Sequence, residues 1–378
     1  MVGSSARIVA VEAVPVAVTG VRPFRISEGQ ASTHYSVILR LLTDQPGLEG
    51  NAEIVSAPPG KPEEFVEEIV GAVRRYVAPA LTGQDATRRR TAMAALDAIL
   101  KGRIWTKAAV NVALYDLQAK AMGEPVAALL GGRHADEVPV IGPVIGIMAP
   151  DEMAQLAADL VGRGYRAIKI KVGETPEADI DRVRAVREAM GPEAALRVDA
   201  NDHYRPADAI RVIRAIERYD IEHVEQPLPR GDMLGMAEVK RAIGVPLMTD
   251  DMVATPADAM MVARLNAADR VKVKVTKHGL DGAMLIIGML ETAGIACVLG
   301  HVFEMGLAAV AEAQLAACMR NLAPPHEMGS MQPMGIRADV IKDELQSTPG
   351  RIRLPGGTGL GVALDWDRIN AMRMDKQA

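Results

Sequence analysis

Aromatic side chains are scarce in this chain: three Phe, six Tyr and two Trp among 378 residues. A core of this size must be built from aliphatic groups and from the 21 methionines, whose flexible thioethers fill irregular gaps. The same scarcity argues against an aromatic cage for a quaternary ammonium ligand. Cysteine is nearly absent too. Cys297 and Cys318 offer neither zinc-ligand spacing nor a disulfide framework, which predicts a reducing, cytoplasmic setting. Nor is positive charge in excess: 43 Lys and Arg against 48 Asp and Glu leave a net charge of -5. That is no footprint for nucleic acid. No uncharged apolar run reaches the ~18 residues of a membrane span. The opening MVGSSARIVAVEAV lacks the basic start and unbroken apolar segment of a secretory signal. Neither a membrane nor a nucleic acid is an expected partner.

What is present is an ordinary soluble composition, 49% hydrophobic and 24% charged, long enough for one large or two medium domains. The first 130 residues read as strands followed by helices. A β run over 7–19 precedes a Pro/Gly/Ser-containing loop at 21–33. The strand YSVILRLL then leads through DQPG into a return strand, GLEGNAEIV. Helical spacing marks 62–77, 86–100 and 108–122. The last carries Val110, Ala113, Leu114, Leu117 and Ala121 on one stripe and stops at Gly123 and Pro125. From Val138 the texture changes to short apolar strands alternating with amphipathic helices: VPVIGPVIG, AIKIKVG, LRVDAN, HVEQPL, PLMTDD, RVKVKVT and ACVLGHVFE. An eighth strand should end near HEMGSMQPM. The fold class is therefore α/β, a (β/α)7–8 TIM-type barrel with an N-terminal α+β capping domain. The predicted divisions are 1–130 for the cap with its specificity loops and 131–347 for the catalytic barrel. Residues 348–378 form a C-terminal segment that returns to the cap.

In such barrels chemistry sits at the C-terminal ends of the strands. Asp199, Glu225 and Asp250 end three consecutive strands, separated by 26 and 25 residues, about one strand and one helix each. A carboxylate at a strand end is also an ordinary helix N-cap. Three together repel one another unless a cation sits among them, and an all-oxygen set suits Mg²⁺, with Mn²⁺ the second choice. Lys169 and Lys171 alternate on the strand before this triad, and Lys272 and Lys274 on the strand after it. A KxK pair can be a solvated strand end, but lysines pointing into an aliphatic barrel need partners. Lys272 and Lys274 face the same way in a regular strand, so one lies lower or is displaced by a bulge. A carboxylate substrate between Lys171 and Lys274 would have a base on each face of its α-carbon, and a metal would stabilise the enediolate left by proton loss.

Taken together, RPFRIS, YSVILRL…GLEGNAE, VNVALYDLQAKAMGEPVAALLGG, KIK, VDAN, VEQP, TDD, KVTKHG, GHVFE and GTGLGVALD resemble the enolase superfamily. Within it the chain is similar to the muconate-lactonizing-enzyme subgroup of the mandelate racemase/muconate lactonizing enzyme family. The resemblance implies Asp199, Glu225 and Asp250 as Mg²⁺ ligands with Asn201 beside them. It implies Lys171 and Lys274 as acid/base groups, Lys169 as a group holding the substrate carboxylate, and Glu304 as a neighbour of that carboxylate. Asp251 stands where this subgroup commonly has Glu. His301 stands where the mandelate racemase subgroup has a catalytic His, which there is paired with an Asp at the position of Lys274. Here Lys274 is favoured as the base, and His301 is read as a substrate contact or a group behind the site, a structural histidine, or a catalytic group. HEMGSMQPM lacks the Asp-x-Asp that dipeptide epimerases use for an α-ammonium group, which argues against a dipeptide substrate.

Specificity is expected from loops of the cap, 22–34 and 53–59, where Arg22, Arg25 and His34 could hold a second anionic group or be ordinary surface residues. The expected function is Mg²⁺-dependent removal of the α-proton of a small carboxylate, followed by reprotonation or ring closure. That makes it an isomerase, either muconate-cycloisomerase-like or a racemase/epimerase. One rival is a lyase that dehydrates a hydroxy acid or hydroxyproline-like compound; another is a catalytically idle metal-binding relative. A homo-oligomer is expected.

Overall fold

The computed structural model describes residues 6–56, 64–329 and 335–375. Three antiparallel strands, β1 (Ile8–Ile26), β2 (Gly29–Thr43) and β3 (Glu49–Val55), form the sheet of the cap in the order β1-β2-β3. The loop expected at 21–33 is instead the tip of a long hairpin. Phe24 pairs with Ala31 and Ile26 with Gly29, after an irregularity between Thr19 and Phe24. Pro23 lies in that interruption, where a residue without an N–H cannot serve the ladder.

Helices at Val66–Ala72, Arg89–Ile99 and Ile104–Met122 follow the sheet. The helix expected from residue 62 begins at Val66, and 62–63 lie outside the described residues. The helix Ile104–Met122 buries thirteen of its nineteen residues rather than a single stripe. It is clamped between β3 and the barrel helix Val275–Thr292, and so joins cap to barrel. It ends, as its sequence predicts, at Gly123 with φ 72°, where a side chain would be strained.

The barrel contains β4 (Glu137–Pro139), β5 (Ala167–Lys171), β6 (Ala195–Asp199), β7 (Ile221–Glu225), β8 (Leu247–Thr249), β9 (Arg270–Val273) and β10 (Ala296–Leu299). Strands β5 to β10 make one parallel sheet in sequence order, with a helix after each. The first strand, expected over 138–146, is regular only as β4. Beyond it Val140 bridges to His326 and Ile145 to Ile170. Pro139 and Pro143 cannot donate, so a continuous ladder is unavailable there. On the other side Cys297 bridges to Leu322 and Gly300 to Glu327. These bridges carry the curled sheet round towards closure. Within the expected eighth-strand region HEMG is described, and SMQPM lies outside the described residues.

After Ser347 the chain forms β11 (Ser347–Thr348) and β12 (Arg351–Arg353), and β12 pairs antiparallel with β4. The Gly-rich turn and the final helix, Trp366–Met372, turn back to the cap: the N–H of Leu360 donates to Asp116 Oδ1 at 2.8 Å and that of Met374 to the carbonyl of Pro15 at 3.0 Å. The segment from 348 is thus divided between barrel and cap. No helix among the described residues is long and apolar enough to cross a membrane.

Candidate active site

Strand register stacks the polar residues in two layers. Lys171 pairs with Asp199 and Asp199 with Glu225 across the tops of β5, β6 and β7; one layer down, Lys169 pairs with Arg197 and Arg197 with His223. Side chains two apart on a strand share a face, so each strand supplies both layers. Asp250 follows β8 and Lys274 follows β9, which completes the upper layer. In strand order Lys171 and Lys274 therefore stand on either side of the three carboxylates.

The ammonium of Lys171 lies 2.6 Å from Asp199 Oδ2, and that of Lys274 lies 2.7 Å from Asp250 Oδ1. Lys169 reaches Asp199 (2.8 Å), Glu225 (2.6 Å) and Glu327 (2.6 Å). Lys272 joins Glu225 (2.5 Å) to Glu327 (2.6 Å), so two lysines and two glutamates close a ring in the barrel. Lys272 is the lower of its pair, and β9 needs no bulge to separate it from Lys274. Glu327 escaped the sequence reading, yet a signal existed. Four lysines aimed into one barrel outnumber three carboxylates, and burial at that cost calls for a further anion.

Electrostatics divide the lysines. Burial lowers Lys171 below its ordinary value, with Asp199 opposing it. For Lys274 burial acts the same way, but Asp250 and Asp251 outweigh it and hold this lysine above its ordinary value. Lys169 is likewise raised, the carboxylates of Asp199, Glu225 and Glu327 overcoming burial. Among the acids, burial works against the anion throughout. It wins at Glu225, pushed up to about 8 with Asp199 adding to the effect, and loses at Asp199 and Asp250, which neighbouring lysines hold well below the usual carboxylate range.

The upper layer offers the oxygen-only donor set that a hard divalent ion takes. Asp199, Glu225 and Asp250 are buried oxygen donors on adjacent strands, and the side-chain oxygen of Asn201 is buried there without a hydrogen-bond partner. His223, Glu225 and Glu327 also bring ligand atoms within 4.8 Å of one another. Neither His223 nor Glu327, however, lines the cavity above Asp199, Glu225 and Asp250, and Glu327 is bound from behind by Arg197 at 3.1 Å.

Above these groups a cavity of about 80 Å³ is roofed by Phe24 and Ile26 from the hairpin tip, Trp105, Val144, Val302 and Phe303. Asn201, Asp251 and His301 also line it. Asp251 is held by Lys277 at 3.2 Å and Arg230 at 3.3 Å. Glu304 is not on this wall. Its buried carboxylate accepts the N–H groups of Val302 (2.7 Å) and Phe303 (3.2 Å) and the hydroxyl of Thr276 (3.0 Å). It thereby holds the turn that presents Phe303, whose φ of 106° is strained for a side-chain-bearing residue.

Two further expected contacts stand elsewhere. Arg22 is exposed on the hairpin arm and does not line the cavity. His34 is buried behind Phe303, its Nε2 2.9 Å from Ser36 Oγ, and burial pushes it down to about 3. Arg25 pairs with Glu174 at 2.5 Å. The hairpin thus brings apolar groups, not cations, to the cavity. Of the loop expected at 53–59, residues 57–59 lie outside the described residues.

Glu53 carries its own prediction. It accepts the Ser36 hydroxyl at 2.8 Å and the Met305 N–H at 3.1 Å, linking the cap to the turn behind Phe303. Burial, with Glu304 and Asp339 nearby, pushes it from 4.5 up to about 8. A raised pKa stabilises the fold fully below the ordinary value, and that contribution is lost as pH rises through the raised one. Each tenfold change in proton affinity between folded and unfolded chain is worth about 1.4 kcal/mol. Urea unfolding at pH 5 and pH 8.5 should therefore show the wild type losing a few kcal/mol that Glu53→Gln retains.

Residues 8–131 match the family model for the mandelate racemase/muconate lactonizing enzyme N-terminal domain, and 152–368 match that for the enolase C-terminal domain-like family. The chain is 32% identical over 362 residues to the L-Ala-D/L-Glu epimerase of Bacillus subtilis, covering 94% of this chain and 96% of the epimerase. It is 30% identical over 380 residues to muconate cycloisomerase 1-2 of Acinetobacter lwoffii, covering 99% and 97%. The crystal structure of N-succinyl Arg/Lys racemase from Bacillus cereus superposes with a TM-score of 0.91 at 28% identity, covering 97% of this chain and 98% of that one.

Proposed function

The chain belongs to the mandelate racemase/muconate lactonizing enzyme family of the enolase superfamily, in its muconate-lactonizing-enzyme subgroup, and from that premise we propose that it is an isomerase removing the α-proton of a carboxylate substrate between Lys171 and Lys274. The observation that carries this reading is the strand order: a lysine, three carboxylates on successive strands, then a lysine, all facing one cavity.

Asp199, Glu225 and Asp250, with Asn201 beside them, would hold Mg²⁺; the oxygen-only donor set favours it over softer ions, and Mn²⁺ is the nearest substitute. When bound, the ion supplies Lewis-acid stabilisation of the charge that develops on the substrate carboxylate. Lys171 and Lys274 stand on opposite sides of the three carboxylates, so that one is placed to accept the α-proton and the other to return a proton to the opposite face. Lys169 adds positive charge beside the substrate carboxylate and, with Lys272, fixes Glu225. The hairpin tip sets Phe24 and Ile26 as an apolar wall beside the reacting carbon.

Reprotonation gives a racemase or epimerase, and ring closure gives a cycloisomerase. The epimerases, racemase and cycloisomerases among the relatives support an isomerase over a dehydratase. A cytoplasmic location accords with two unpaired cysteines. Exposed Leu234, Met260 and Leu285 on barrel helices accord with a homo-oligomer.

The test is α-hydrogen exchange in D₂O, followed by NMR across a library of carboxylic acids. Exchange is expected with Mg²⁺, should vanish with EDTA, and should return on adding Mg²⁺ back. Release of a 2-keto acid instead would establish the dehydratase. If no acid in the library exchanges while the metal is bound, the proton-abstraction reading is lost.

A further inference from the structure

The two lysines that face the cavity from opposite sides are held in different ways. Lys171 lies within the sheet: its N–H donates to the carbonyl of Ile145 at 2.8 Å, and the N–H of Val172 donates to the carbonyl of Asp199 at 2.9 Å. Bonds to the chain on both sides therefore fix its backbone. Lys274 stands past the end of β9, beyond its last pairs, Val271 with Thr249 and Val273 with Leu299. Its N–H donates instead to a side chain, Nδ1 of His278, at 3.2 Å.

The same imidazole reaches sideways to the neighbouring loop. Its Nε2 lies 3.1 Å from the carbonyl oxygen of Val253, in the turn that Asp250 begins, where the N–H of Val253 donates to the carbonyl of Asp250 at 3.0 Å. The two partners fix the tautomer. A backbone N–H only donates, so Nδ1 carries the lone pair; a carbonyl only accepts, so Nε2 carries the hydrogen. Burial, with the ammonium of Lys277 nearby, pushes this imidazole down to about 3, so it stays neutral. The bond to Lys274 resembles the return half of a capping box, made from one residue further along the helix.

The helix that follows does not hold this turn. Gly279, with φ 65°, breaks Val275–Thr292 after its first turn. Beyond the break the N–H groups of Leu280 (2.9 Å) and Asp281 (3.2 Å) donate to Asn111 Oδ1 of the cap helix. Residues 274–278 are thus a separate piece, and His278 ties its backbone to the loop of Asp250. Lys277 also reaches the carbonyl of Val253, at 3.3 Å, but an ammonium on a flexible four-carbon stem is the looser tether.

We propose that His278 is a positioning residue for Lys274: by bridging the Lys274 amide to Val253, it holds the turn where the Lys274 ammonium serves its own face of the α-carbon. Lys171, fixed by the sheet, needs no such bridge. This role rests on the α-proton reading above and adds to it a device that acts on one face only.

The test is whether the effect is confined to one face. Exchange is followed by NMR in D₂O with Mg²⁺ on the α-epimeric pairs of the acid library, N-succinyl-L- and D-lysine and L-Ala-L- and D-Glu included. A pair that exchanges with the wild type is carried into the variants. His278→Leu should slow exchange of the epimer that Lys274→Ala silences by roughly 10–10²-fold, the scale of a small misplacement, and leave the other epimer within about twofold. KM should change little, because a misplaced base weakens the transition state rather than the bound substrate. His278→Asn offers Oδ1 where Nδ1 stands, keeps the bond to the Lys274 amide and should recover most of the loss. Histidine ¹⁵N NMR of the wild type, assigned by the signal missing from His278→Asn, should find the hydrogen on Nε2. A hydrogen on Nδ1 would leave no acceptor for the Lys274 amide and overturn the proposal, whether or not the Leu variant folds. Equal loss from both epimers would overturn it too, as would no loss, or an Asn variant no better than Leu; the proton-abstraction reading survives each of these. Exchange from no epimeric pair with the wild type would remove the two-faced chemistry, and with it the base that His278 holds.

Discussion

Lys171→Ala should lower turnover by roughly 10²–10⁴-fold, the range a positioned acid/base group contributes, and Lys274→Ala should do the same. The two variants should differ in what survives. If each lysine serves one face of the α-carbon, a variant lacking one retains proton exchange on the face served by the other. With a racemisable acid in D₂O, Lys171→Ala should still wash deuterium into one enantiomer, and Lys274→Ala into the other. NMR on the two resolved enantiomers reads this directly. Loss of exchange from both enantiomers in both variants would mean that the lysines act together, and unchanged turnover would mean that neither is a base. Folding should survive either change, since each lysine lies at the mouth of the barrel and the carboxylate it leaves has other cations nearby: Lys169 beside Asp199, Lys277 near Asp250.

Arg197→Leu should instead cost about 3–5 kcal/mol of stability, the scale of breaking a buried ion pair by removing one partner. Arg197 is fully buried on β6, two residues before Asp199. Its guanidinium binds Glu222 at 2.8 Å, Glu327 at 3.1 Å and the carbonyl of Pro325 at 2.8 Å. Glu222 keeps Arg270 at 2.9 Å, but Glu327 Oε1 would be left facing His223, which burial pushes down to about 4 and so keeps neutral. Arg197→Lys should recover only part of the loss, because one ammonium cannot span both carboxylates as the guanidinium fork does. Urea denaturation of the three proteins supplies the comparison. A loss under about 1 kcal/mol for the Leu variant, the scale of a weak surface pair, would place Glu327 in the keeping of Lys169 and Lys272 alone.

Much of this was legible in the chain. Strand periodicity and the regular return of carboxylates located the tops of β6, β7 and β8, because one strand and one helix take a nearly constant number of residues. Alternation within β5 put Lys169 and Lys171 on one face, and the same rule paired Lys272 with Lys274. The irregular elements were harder. The hairpin tip of β1 and β2 reads as a loop because Pro23 and Gly29 break the local pattern, while the pairing of Phe24 with Ala31 is a cross-strand contact that no short window contains. The first strand reads as continuous because its residues are apolar, although its prolines prevent a ladder.

Spacing and residue type by themselves determined the barrel, the carboxylate triad and the flanking lysines, since each depends on a period along the chain. The tertiary structure decided what those periods cannot carry. Glu327 comes from the far side of the barrel to join Lys169 to Lys272, a contact between residues 158 positions apart. Arg22 and His34 share a chemistry with anion-binding groups but stand away from the cavity, so composition alone could not place them. Trp105 arrives through the docking of a cap helix, and Phe303 through a turn held by a buried Glu304. Ionic layers follow strand register, which is local; the roof that would choose the substrate follows from how two domains pack.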